Sequence, residues 1–474
     1  MILRASIVLA LAALLAALRP AAADGTLRAT VDPRVEFLAA VARNAGFEEY
    51  RSPQAASPYA ERVDALLKPH LGHAAFDRMR AMRKDRGLSY DAVMSLAVHV
   101  TDPPALAERM DFGAAPAGLD KRLVPSDTRD LLVHLRDLAK ACDWQAFWAR
   151  EQPTRTEGAA HLAAAVARHD LVAWHEHALG VKPGADYVLV AGLLTGPQNF
   201  GVGVDFPDGG TPEIRPVIGC TQWDERGMPV YAATDGLTGL VAHELCHSFA
   251  NPVVDRHLDA LRPVGERLFA ISADRMRAQA YGDWKTTMYE TLVRACTVRC
   301  LAELVGDEAA AMRAQNDAAR GFLWVPALAD ALATPLHDHP AGQTLDTLVP
   351  MVAATLEREA TRISQEDAKR PKLVSVQPAD GAGDVAPGPI ELVLRFDRAM
   401  AKDSFSVTGS KENVPEGLKL KEVRDDGRTF VFTGTVAAGR AYAFGINGGG
   451  RTGFRSTEGV PALPMQLRFT TRAK

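Results

Sequence analysis

Apolar residues recur at helical spacing through the first part of the chain. Val35, Leu38, Ala39 and Ala42 give one face before Gly46. Tyr59, Val63, Leu66 and Leu67 give another before Pro69, and Leu131, Leu132, Leu135 and Leu138 repeat the spacing. Pro53, Pro58, Pro69, Pro103-Pro104 and Pro116 punctuate these segments. The pattern predicts helices from Val31 to Leu179. It changes near Tyr187, where Tyr187 to Ala191, Phe200 to Phe206 and Ile214 to Ile218 read as short strands bounded by Gly and Pro. A small β-sheet is expected over residues 185–232. Helical periodicity returns at Thr238 and continues, with breaks, to Glu359.

A charged stretch, Ser364 to Pro371, then reads as a linker. Beyond it Pro378 to Gly381 and Asp384 to Gly388 are turn clusters, and Ile390 to Phe396, Thr429 to Phe432, Tyr442 to Ile446 and Met465 to Phe469 have strand character. The fold class is α+β: a mostly helical domain with a small sheet at residues 24–362, a linker at 363–371, and an all-β sandwich at 372–474.

The N-terminus reads as an export signal. A positive start, Met1 to Arg4, precedes the apolar run Ile7 to Leu18 and the small-residue site Ala21-Ala22-Ala23. This predicts a signal peptide at residues 1–23 and a periplasmic or extracellular protein. The run is shorter than the roughly 20 residues that span a bilayer, so no transmembrane span is expected after cleavage. Composition adds little. The net charge of −4 comes without a basic block, which argues against nucleic acid. The five cysteines are an odd number, and none shows the paired spacing of a zinc knuckle.

The chemistry sits in His243-Glu244-Leu245-Cys246-His247. On a helix, residues i and i+4 are offset by about 40°, so both imidazoles reach one metal ion. Glu244, offset by about 100° from His243, can take a proton from a water held there. This is the HExxH arrangement of zinc peptidases. Asp235 is the expected N-cap, and Pro252 the expected end of the helix, with Asn251 before it pushed out of the α region. A catalytic Zn2+ needs a third protein ligand. Ala250 and Val253 stand where the metzincin pattern wants Gly and His, so that source is excluded. Glu290 lies in a strongly helical stretch downstream. Asp255 and His257 follow the expected helix break too closely to fold back, while Glu266 stays open beside Glu290.

Three stretches carry a family resemblance: Val31 to Leu38, Ser89 to Val100 and His243 to Pro252, with Tyr289 to Ala295 as a further segment. In these, residues 31 to about 360 resemble the bacterial family DUF4932, a domain of unknown function. The resemblance implies a gluzincin-like zinc peptidase in which two histidines and a downstream Glu, here Glu290, bind the metal. Residues 372–474 resemble a bacterial Ig-like domain of the SbsA type through Val376 to Val385, Phe396 to Met400 and Leu467 to Thr471. Such domains imply a spacer or cell-surface contact.

Several neighbours of the motif have two readings. Asn251, one turn after His247, fits a hydrogen bond to a ligand or a helix cap. Arg294, one turn after Glu290, fits orientation of Glu290 or of a substrate carboxylate, or a structural ion pair. Tyr281, Tyr289 and His257 are candidates to stabilise an oxyanion. His175 and His177 read as a surface pair. Cys246 reads as a small apolar residue, with a disulfide to Cys296 or Cys300 as the alternative. The expected activity is hydrolysis of a peptide or protein substrate. A zinc hydrolase of non-peptide amides, and a surface binding protein with structural or absent zinc, are the competing readings.

Overall fold

The computed structural model describes residues 27–114, 118–180, 185–424, 427–448 and 450–473. The expected signal peptide lies outside them. The chain divides into two compact units, Met1–Ala360 and Thr361–Lys474.

The first unit opens with strand β1 (Arg28–Thr30). Helices α1 (Pro33–Ala45), α2 (Pro58–Leu67), α3 (Ala74–Arg86), α4 (Asp91–Val98), α5 (Pro125–Ala141), α6 (Trp144–Arg150), α7 (Gln152–Val166) and α8 (Leu171–Leu179) follow. Helix α1 shows why the first motif begins as it does. Asp32 caps it by accepting from the Arg34 and Val35 amides, Pro33 supplies a preset first turn, and Gly46 closes it at φ 94°.

Strands β2 (Asp186–Gly192), β3 (Phe200–Val204) and β4 (Glu213–Gly219) join β1 in a sheet of order β1-β2-β4-β3. β1, β2 and β4 are parallel, while β3 runs antiparallel at the edge. β1 was invisible to pattern reading because three residues carry no period. A short hairpin, β5 (Gln222–Trp223) and β6 (Pro229–Val230), leads to α9 (Asp235–Arg256), α10 (Leu258–Arg277), α11 (Trp284–Leu304), α12 (Asp307–Ala319), α13 (Val325–Asp338) and α14 (Val349–Lys369).

Three expectations need correcting. The N-cap of α9 is Thr234, whose hydroxyl accepts from the Leu237 amide at 3.1 Å; Asp235 is the first helical residue. Pro252 does not end α9, which runs on to Arg256 with Asn251 inside it. A proline costs about 3 kcal/mol inside a helix. Buried Val253 and Val254 just beyond it are each worth about 1.5–3 kcal/mol and offset that. The charged stretch after Glu359 is helix as far as Lys369, because Glu, Gln, Ala and Lys are strong helix formers even where they bury little.

Helices α9 and α11 lie in the interior of the unit. α11 buries Met288, Leu292, Val293, Ala295, Cys296, Val298 and Cys300, leaving no wholly polar face. Gly239 lets the two helices approach: a Cβ there would lie 3.0 Å from Leu301 Cδ1.

In the second unit, β7 (Leu373–Gln377), β9 (Gly388–Phe396), β11 (Glu416–Val423) and β12 (Thr429–Val436) form one sheet of order β11-β12-β9-β7. β8 (Ala382–Val385), β10 (Val407–Thr408), β13 (Ala441–Ile446) and β14 (Met465–Thr471) form the other, of order β10-β13-β14-β8. Alternate residues of both sheets, Leu392, Leu394, Phe396, Phe430 and Phe432 with Phe444, Ile446, Leu467 and Phe469, share one apolar cluster. The expected strands and sandwich are all found there.

Among the described residues no helix is long and apolar enough to cross a membrane.

Candidate metal centre

Helix α9 presents His243 and His247 on one face, with ring centroids 4.9 Å apart and planes at 89°. Helix α11 brings Glu290 against them. Its Oε2 lies 3.6 Å from His243 Nε2, and its Oε1 lies 3.6 Å from His247 Nε2. Donors about 2.0–2.1 Å from a tetrahedral zinc stand about 3.3 Å apart, so these spacings are close to those of a loaded site. No two of the three ligand atoms are more than 4.8 Å apart, and this trio is the only such group among the described residues.

The carboxylate supplies a second sign. Glu290 is 8% exposed, and its Oε2 is buried without a well-directed hydrogen bond. Arg294 Nη2 stands 2.8 Å from it as an ion pair only. A buried anionic oxygen left so is costly in an apolar interior and suits a cation. The donor set of two imidazoles and one carboxylate is that of a catalytic zinc with an open fourth position.

Glu244 points to the same space, with Oε2 4.0 Å from His247 Nε2. Burial pushes its carboxyl up to about 7, and the neighbouring His247 opposes that rise. Burial likewise holds the His243 imidazole well below the usual range, helped by His247 and by the Arg313, Arg294 and Arg320 cations. His243 is therefore held in its neutral form.

The supporting shell is ordered. Asn251 Oδ1 accepts from His247 Nδ1 at 3.2 Å, which leaves Nε2 free to ligate. Arg294 is 4% exposed and bonded to Asp317 and, at 3.2 Å, to the Tyr281 hydroxyl, besides pairing with Glu290. It is thus committed to Glu290 and not offered to solvent. Arg313 Nη2 lies 3.0 Å from His243 Nδ1, and its Nε donates to Asp317 at 2.8 Å. Arg313 and Asp317, on α12, were missed in the sequence. Their only signal is an i, i+4 pair of opposite charge, which most helices carry on solvated faces.

The other candidates lie elsewhere. Tyr289 donates to Asp255 at 2.5 Å, His257 faces Asp346 at 2.9 Å, and Glu266 faces Arg262 at 3.9 Å. His175 and His177 are not a surface pair. His175 is 1% exposed, with its ring nitrogens 2.7 Å from the Leu171 carbonyl and 3.0 Å from that of Ala242, while His177 is exposed. The Ala242 contact anchors α9 one residue before His243. All five cysteines are buried free thiols, so no disulfide ties Cys246 to α11.

The edge strand β3 reaches the site through Gly201. A Cβ there would stand 2.6 Å from Glu244 O and 2.8 Å from His247 Cβ. Beyond its pairing with β4, β3 makes no backbone hydrogen bond among the described residues.

No functionally curated protein matches the chain. Among solved structures, the S-layer protein rSbsC(31-844) is similar at 17% identity, covering 48% of this chain and 33% of its own, with a TM-score of 0.18. Domains 1-6 of surface layer protein SbsC are similar at 18% identity, covering 51% and 33%, also at 0.18. The chain therefore spans about one third of those proteins. The family model described as Domain of unknown function (DUF4932) matches residues 27–339, most of the chain, and the protein belongs to that family.

Proposed function

We propose that the protein is an exported zinc-dependent hydrolase, a peptidase of the gluzincin kind with a zincin-like catalytic unit followed in sequence by an Ig-like sandwich. The observation that carries this reading is the convergence of His243 Nε2, His247 Nε2 and the Glu290 carboxylate, with Glu244 beside them. His243, His247 and Glu290 would hold Zn2+. Bound there, zinc supplies a Lewis acid for the substrate carbonyl and acidifies water. Glu244 takes the water proton on its carboxylate and returns it to the leaving amine. Asn251 keeps His247 in the ligating tautomer, and Arg294 fixes the rotamer of Glu290. The open edge of β3 runs beside His247 and suits an extended peptide added as a further strand, which favours peptides over other amides.

The export signal and the sandwich agree with work outside the cytoplasm, the sandwich acting as spacer or surface contact. The test is metal analysis with a chelator-sensitive cleavage assay on mixed peptides. Glu244→Gln should retain zinc and lose roughly 10²–10⁴ of the hydrolytic rate. Full hydrolysis by that variant would remove Glu244 as the base, and a wild-type protein that binds no zinc would remove the whole reading.

A further inference from the structure

A second pair of imidazoles meets outside the HExxH helix. His177 lies in the last turn of α8, and His339 caps α13, where the chain turns into the left-handed region at φ 37°. Their ring centroids stand 5.3 Å apart, with planes at 46°. Two imidazoles on one tetrahedral ion, each nitrogen about 2.0–2.1 Å from it, place their centroids roughly 5 Å apart. His243 and His247 stand at 4.9 Å. The second pair therefore has the spacing of two ligands, and it is assembled from elements far apart in sequence.

These rings have no other polar task. Among the described residues neither imidazole makes a hydrogen bond, and His339 Nδ1 is buried without a partner. A buried ring nitrogen left so is costly, and packing of one ring on the other does not satisfy it. His177 is exposed, so an ion can reach the pair from solvent.

Further donors stand beside it. Trp174 precedes His177 by three residues, on the same face of α8, and its Nε1 donates to Glu303 Oε2 at 2.9 Å. That oxygen also faces His337 Nδ1 at 3.9 Å, two residues before His339. The other oxygen, Glu303 Oε1, is buried without a hydrogen bond, and Arg299 Nη2 is 3.8 Å from it. One patch thus gathers His177, His337, His339 and Glu303 from α8, α11 and α13.

We propose that His177 and His339 form a second metal site, for a divalent ion of the zinc or copper class, with His337, Glu303 or water supplying the remaining donors. Imidazole suits Zn2+, Ni2+ and Cu2+, whereas Ca2+ and Mg2+ take oxygen donors. The ion would join α8 to the end of α13. This inference does not depend on the zinc reading of His243, His247 and Glu290.

The test is zinc binding to the full-length chain, counted by equilibrium dialysis, in wild type, His177→Ala and His339→Asn. His177 is exposed, and Asn accepts a left-handed cap, so both variants should fold. Each should bind one zinc equivalent fewer than wild type, because losing a ligand costs more than the roughly 10- to 100-fold that an outer partner is worth. His134→Ala, which removes a histidine facing Asp130 at 3.9 Å, should lose none. Wild-type counts in both variants would overturn the pair. So would a loss in only one of them, or an equal loss in His134→Ala. Wild type alone supplies a second arm, carbethoxylation of histidines mapped by mass spectrometry. Zinc should protect His177 and leave the labelling of His134 unchanged; equal labelling of His177 with and without zinc also overturns the proposal. Failure of the HExxH reading looks different: it is a zinc count that Glu290→Ala leaves unchanged.

Discussion

Gly201→Ala tests whether the edge strand β3 and the HExxH helix α9 are one mechanical unit. The added methyl would stand 2.6 Å from the Glu244 carbonyl oxygen, 2.8 Å from His247 Cβ and 2.9 Å from His247 Cδ2. Ordinary contact begins near 3.4 Å, so β3 and α9 must part by about 0.8 Å or His247 must turn aside. Neither is cheap. The first obstacle is backbone, and the second is a proposed zinc ligand, whose distance to the ion would tolerate only about 0.2 Å. Overpacking of this kind costs about 1–3 kcal/mol, a few degrees of melting temperature in a unit of this size. The assay is thermal unfolding of the metal-free protein together with zinc titration, with Gly282→Ala as the control. A Cβ at Gly282 meets nothing within 4 Å, so that variant should match wild type. A Gly201→Ala protein that melts and binds zinc like wild type would refute the close approach, and with it the placing of β3 as the wall of the site.

Glu290→Ala should abolish stoichiometric zinc binding; retained stoichiometry by metal analysis would send the search for the third ligand back to Glu266 or Asp255. Glu36, fully buried with its Oε1 accepting from the Leu193 amide at 2.8 Å, has its carboxyl pushed by burial from 4.5 up to about 8. The fold keeps that proton where the unfolded chain loses it, so stability is full below pH 4.5 and falls as pH rises to 8, by up to about 5 kcal/mol. Glu36→Gln keeps the acceptor and should flatten that slope in melting curves across the window; an unchanged slope would show that Glu36 is ionised in the fold. Chelation should stop hydrolysis while the metal-free protein stays folded by circular dichroism, and collapse of the fold would mark the zinc as structural.

Much of this was legible from the chain because the signal was periodic and local. The i, i+4 spacing of His243 and His247 needs only a helix to set two imidazoles side by side, and alternate apolar residues such as Leu392, Leu394 and Phe396 need only a strand to become one face of the sandwich. Glu290 was harder, since spacing left Glu266 equal to it. The structure separates them by burial, with Glu290 facing both imidazoles and Glu266 exposed beside Arg262. Misreadings arose where local chemistry lost to packing. Pro252 looked like a stop, and buried valines carried the helix through it; His177 is exposed as expected, but His175 turns inward to two carbonyls. Arg313, Asp317 and Gly201 could not be read at all, because their roles are set by residues far away in sequence.

The charges around the site favour the proposed catalytic metal over a structural one. Glu290 and Asp317 are buried anions, and Arg294 and Arg313 are the cations bonded to them. Those four cancel without any metal. Glu244 is the remaining carboxylate, and burial pushes it up to about 7, so near neutral pH much of it carries a proton. A structural zinc site lacks this compensation: its ligands repel one another or remain unpaired until the ion arrives, which is why such domains unfold without it. Here the interior is nearly neutral beforehand, and α9 is held by the His175 bond to Ala242 and by packing on α11. On the proposed zinc reading, the ion would therefore bind to and leave a folded unit.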